Sequence, residues 1–157
     1  HLLAGFYIRN KQINLAIEYG EKCLANRLDY FGRVNEIVDT SLYSLGLIYR
    51  AGGRLKDAFL TLLESIEIRT QLFGPTSLET AESQESAGFT AHQMKELKKA
   101  NILYKLALET RTTILGKEHD STKSLLKLQR QVYVELTSKT SSPSKKKKSK
   151  RKGRDVK

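Results

Sequence analysis

Three kinds of side chain in this 157-residue sequence could do chemistry: three histidines, one cysteine, and a dense run of lysine and arginine near the end. A metal site needs several His, Cys, Asp or Glu ligands at short spacing, as on a His-Glu-x-x-His helix. Here His92, His119 and Cys23 stand far apart, and His119 lies between Glu118 and Asp120 on a segment that reads as a loop. A phosphate-binding loop needs a glycine ahead of its Gly-Lys pair, which Gly116-Lys117 lacks, and no Gly-x-Gly-x-x-Gly occurs. These residues supply no catalytic constellation, no cofactor site and no metal site, so the chain reads as a non-enzyme. A lone cysteine cannot close an internal disulfide. Cys23 reads instead as a small apolar residue at a buried position, in keeping with a reducing compartment.

The basic run is a separate object. Residues 138–157 include Lys145, Lys146, Lys147, Lys148, Lys150, Arg151, Lys152 and Arg154 and carry net +9 of the formal +11, which leaves net +2 for residues 1–137. Val156 is the single apolar side chain there, too little burial to offset the entropy of ordering, so the segment reads as a disordered basic tail. Three readings stand side by side: an import signal bound by an importin, a sequence-blind contact with nucleic acid or the acidic tails of microtubules, and a solubilising end. No aromatic residue interleaves the lysines, so base stacking has no platform. Ser142-Pro143 offers a phosphorylation site that would lower the charge. The expected setting is intracellular, cytoplasmic or cytoskeletal, extended to the nucleus if the import signal operates. No apolar run is long enough to span a bilayer, and a start at His1 with no signal-like stretch reads as part of a longer polypeptide.

The elements that must position any working surface lie in the body, and the body repeats every 42 residues. Gly32, Gly74 and Gly116 keep that spacing, as do Ala16, Ala58 and Ala100, and Arg27, Arg69 and Arg111. Apolar positions follow: Leu24, Ile66 and Leu108; Phe31, Phe73 and Leu115. In the middle unit Leu42, Leu45, Ile48 and Tyr49 recur at helical spacing, Gly52-Gly53 breaks the pattern, and Ala58, Leu62, Leu63, Ile66 and Leu72 form a second stripe. Each unit is thus a helical hairpin. The pattern predicts helices over 2–9, 12–30, 37–51, 55–72, 77–93, 96–114 and 120–136. The three glycines should close helices in the left-handed conformation, and Thr76-x-x-Glu79 should form a capping box. Tyr7, Tyr49 and Tyr133 share the register and read as packing residues. The third unit departs most, with Gln84 at its large-residue position and Ala91 in place of tyrosine.

Leu42-Tyr-Ser-Leu45-Gly46-Leu-Ile-Tyr49 resembles the tetratricopeptide signature, and Ala58, Leu62 and Ser65 continue it. The 42-residue period and the repeat end at residues 107–122 are similar to the longer repeats of kinesin light chain and nephrocystin-type proteins, although Asp120 stands where those carry proline. The resemblance covers residues 2–136. It implies an all-α solenoid of about three tetratricopeptide-like units plus a capping helix over residues 1–137, whose first helices line a concave groove for a partner peptide. Carried over position by position, the groove residues are Tyr43, Leu47 and Arg50, then Glu82, Glu85, Phe89 and His92, then Lys127 and Gln131. The function so implied is a protein–protein interaction adaptor, the C-terminal part of a longer scaffold. The rivals are a targeting or regulatory end of a larger enzyme or motor-associated protein, or a polyanion contact made by the tail. Because residues 138–157 carry almost no apolar surface, deleting them should leave the circular dichroism and unfolding cooperativity of the body unchanged. The same deletion should remove most of the salt-sensitive binding to heparin or nucleic acid.

Overall fold

The computed structural model describes the backbone of residues 2–140 and the side chains of residues 11–138; the run from Lys145 to Arg154 lies outside them. Six helices follow one another: α1 (Leu2–Phe31), α2 (Glu36–Ala51), α3 (Leu55–Phe73), α4 (Leu78–Gln93), α5 (Leu97–Leu115) and α6 (Asp120–Thr140). There is no strand among the described residues. Each helix packs on the next, and α2 also touches α4, so the first helices of successive hairpins lie side by side. This is a helical-hairpin solenoid.

Seven helices were expected and six are found, because α1 runs unbroken through residues 9–12. Arg9-Asn10-Lys11-Gln12 contains no glycine or proline, and nothing there ends a helix. The register-equivalent turns break at Gly53 and Lys95, with φ of +77° and +63°. At the other end α6 continues to Thr140, a turn past the expected Leu136.

Local chemistry sets the remaining boundaries. The Asn35 side chain accepts the Ile37 amide at 2.8 Å and starts α2. Ser77, not Thr76, caps α4: its Oγ accepts the Thr80 amide at 3.1 Å, while Thr80 Oγ1 donates to the Gly74 carbonyl and ties down the incoming loop. Gly74 and Gly116 close α3 and α5 with φ of +92° and +86°, but their ψ values of 161° and 162° put them in an extended region open essentially to glycine alone, not in the left-handed helical region.

The Leu-Gly step of the signature is a close approach between the two helices of a hairpin. A Cβ on Gly46 would lie 2.8 Å from Leu62 Cγ, and one on Gly88 would lie 2.8 Å from Tyr104 Cδ1, 42 residues further along. A small residue on the first helix therefore faces a large one on the second. The same economy explains α4, which is regular despite its unusual sequence: Ala81, Ala87 and Ala91 are fully buried, and Phe59, Leu62 and Tyr104 from the flanking helices fill the space beside them. Leu125 and Val132 close the array from α6.

Two single-residue expectations fail. Cys23 is exposed on α1. Tyr133 is 51% exposed whereas Tyr49 is buried, because Tyr49 has α1 and α3 against it while α6 is the last of the described helices and has no second helix packed after it. Ala58 is fully buried against Ile17, Leu45 and Tyr49. Ala58→Leu should therefore overpack the hairpin and cost about 1–3 kcal/mol, read as a lower urea midpoint at unchanged slope.

Candidate functional site

The three arginines of the 42-residue register organise the surface on which the candidate residues sit. Each leaves the C-terminal half of a second helix and donates through Nη1 to a backbone carbonyl ten residues on, in the first turn of the next helix: Arg27 to Ile37 at 3.4 Å, Arg69 to Glu79 at 2.7 Å, Arg111 to Ser121 at 3.4 Å. Arg69 is the most enclosed. Its Nε meets Asp39 Oδ2 at 2.7 Å, its Nη1 meets Glu82 Oε2 at 2.9 Å, and its guanidinium lies 4.4 Å from the centre of the Tyr43 ring. Asp39 also accepts from Ser65, whose hydroxyl is 3.0 Å from that of Ser83, so one buried polar network spans α2, α3 and α4. Burial works against the Arg69 charge, yet the hydrogen bonds it donates to Asp39 and Glu82 raise its pKa overall.

Around this frame the candidate residues divide. Arg50 from α2, Glu85 and Phe89 from α4, together with Ser86 and the α6 residue Leu128, line one cavity of about 310 Å³. Phe89 is 36% exposed, and the Arg50 guanidinium lies 5.1 Å from its ring centre. Tyr43 belongs to the rim only in part. Its ring packs against the core cluster, and its hydroxyl sits 3.0 Å from that of Ser86. Burial of the phenol, opposed by the Ser86 hydrogen bond, pushes its pKa up. Leu47 is half-buried and outside the cavity.

The acids are not free. Glu85 pairs with Arg111 and Glu82 with Arg69, and Glu82 opens onto a different cavity, beside Arg111 and Ser121. His92 Nε2 lies 3.0 Å from Glu135 Oε1 on α6, and that hydrogen bond holds the Glu135 carboxyl below its usual range. Gln131 also donates to Glu135, at 3.4 Å; Lys127 is exposed. Beneath the Arg50–Glu85–Phe89 cavity the Tyr104 hydroxyl is buried with no hydrogen-bond partner, and burial, followed by the Glu85 charge, pushes its pKa up against the effect of Arg50.

Position-by-position transfer missed Ser86 and Leu128. They are equivalent to each other in the 42-residue register, one place after Glu85 and Lys127, so the missing signal was the choice of one helical position over its neighbour. Among the described residues no group of three or more His, Cys, Asp or Glu could hold a metal ion, and no helix is long and apolar enough to cross a membrane.

The family model described as tetratricopeptide repeat matches residues 1–71. No curated protein matches the chain by sequence. Among solved structures the chain is similar to BtubC (BKLC) from P. vanneervenii, at 16% identity and a TM-score of 0.64, covering 99% of this chain and 69% of that one. It is also similar to a putative kinesin light chain from Podosopora anserina with nearly identical TPR-like repeats, at 20% identity and a TM-score of 0.66, covering 92% and 75%. At these identities the likeness shows a shared fold.

The side chains of Arg69 and Asp39 are 9% and 3% exposed, so Arg69→Met should strand a buried carboxylate and cost about 3–5 kcal/mol. Adding Asp39→Ala, which copies the residue found 42 positions on at Ala81, should recover most of that loss in urea denaturation.

Proposed function

We propose that the chain, whose residues 1–71 match the tetratricopeptide repeat model, is a non-catalytic adaptor binding a partner polypeptide across α2, α4 and α6. Repeats of this family generally mediate protein–protein interaction. The observation that carries the proposal is the junction of three successive first helices at one cavity, with a partly exposed Phe89 between Arg50 and Leu128 and with polar groups at its edge. An apolar side chain of a partner would be desolvated against Phe89 and Leu128, and such central anchors dominate interface energies. Tyr43, Leu47, His92, Lys127 and Gln131 extend the same surface along the chain of the partner. Because Glu82 and Glu85 are held by arginines, affinity in this reading comes from the anchor more than from attraction of a basic partner. The Lys145–Arg154 run would add a charge-driven contact with an importin or a polyanion.

A partner captured with the full chain should bind Phe89→Ala about 1–3 kcal/mol more weakly, with unchanged circular dichroism. Full affinity in that variant would remove this cavity from the account. Glu85→Lys is an unsuitable probe, since it sets a cation against Arg111 and would disturb the fold. If the captured partner is a larger enzyme or a motor or cytoskeletal subunit, the same groove serves targeting rather than scaffolding.

A further inference from the structure

A third cavity, of about 480 Å³, lies between the α3–α4 loop, α4 and α5. Leu106 and Ile114 form its apolar wall, 45% and 49% exposed. Two polar groups in its lining lack partners among the described residues: the exposed Glu109 carboxylate, in no ion pair, and Gln84 Oε1, on a side chain 93% buried. An acceptor buried without a donor is costly.

The preceding repeat shows what occupies the equivalent place. Moving back 42 residues turns Pro75 into Arg33, Leu106 into Glu64 and Glu109 into Glu67. There Arg33 lies across the helix, with Nε 3.2 Å from Glu64 and Nη2 2.9 Å from Glu67. The seam beneath changes as well: Val38, Leu42 and Ile68 form a dry apolar cluster, whereas their counterparts are Thr80, Gln84 and Thr110. The later repeat has thus kept one carboxylate, lost the arginine that answered it, and gained a buried amide acceptor and, at Leu106, an apolar side chain in place of an acid.

We propose that this cavity takes an arginine side chain of a partner protein, seated where Arg33 sits one repeat earlier. The guanidinium fork would meet both carboxylate oxygens of Glu109, which a lysine ammonium does less well, and the stem would lie on Leu106 and Ile114. The site is independent of the groove, since neither Phe89 nor Leu128 lines it.

The test is an NMR titration of the isotope-labelled full chain with a capped Gly-Leu-Arg-Leu-Gly peptide, following the methyl signals of Leu106, Thr110 and Ile114. Saturable shifts confined to these residues are expected, with at least tenfold weaker binding when citrulline, neutral and of the same shape, replaces the arginine. Glu109→Gln should weaken binding at least tenfold, and Pro75→Arg should fill the cavity from within and abolish it. Glu109→Gln alters only an exposed side chain, so it stands as the test even if Pro75→Arg fails to fold. The proposal is overturned by the absence of saturable shifts, by equal binding of the citrulline peptide, or by undiminished binding to Glu109→Gln. It is overturned equally if butylguanidinium alone binds as tightly as the peptide, because the site would then serve a free cation rather than a protein side chain.

Discussion

The array depends on an arginine bound to a carbonyl ten residues ahead. A helix leaves its first amides and last carbonyls without internal partners, and stacking hairpins would ordinarily leave each seam to apolar contact alone, which tolerates sliding. Arg27, Arg69 and Arg111 remove that freedom by carrying a fork of directed donors from the end of one hairpin to the first turn of the next. Each seam then carries a directed contact beside the apolar ones, shortest at Arg69 at 2.7 Å and 3.4 Å at Arg27 and Arg111. The cost is burial of a charge, met most completely at Arg69, where Asp39, Glu82 and the Tyr43 ring enclose the guanidinium.

This explains why the acids of α4 do not behave as a solvated helix face. Glu82 and Glu85 look from the sequence like rim charges available to a partner, and they occupy the positions that this role requires. Each is instead the counterion of a structural arginine. Position 43 and position 85 are equivalent in the repeat, and both face the arginine 26 residues ahead, one with an aromatic ring and the other with a carboxylate. Two different interactions meet one geometric demand.

The 42-residue period, the all-helical architecture, the closing glycines and the small-against-large contact at Gly46 and Gly88 were legible because each is imposed by backbone geometry that few residue types satisfy. The period also singled out the arginines, although not what they bind, since their partners come from three different helices. The continuity of α1 was not legible: a two-helix unit was assumed where residues 9–12 hold no breaker. The exposure of Cys23 and Tyr133 depends on which neighbours exist, and periodicity carries no such information. Of the residues that the sequence suggested, Arg50, Glu85 and Phe89 line one cavity, and Ser86 and Leu128, which it did not suggest, line it with them.

Because every helix packs on its immediate successor and long-range contacts reach no further than the next first helix, the molecule is close to one-dimensional. Such a chain has a mechanical character that a globular core lacks. Tension applied between its ends passes through every seam in series, so the weakest seam yields first and the others remain assembled. Each hairpin drawn out releases 42 residues, roughly 140–150 Å of extended chain. The polar network on Arg69 joins α2, α3 and α4, so in the middle of the array the load would cross directed bonds as well as apolar contact. The arginines that bridge successive repeats thus also lie in the path that such a load would take.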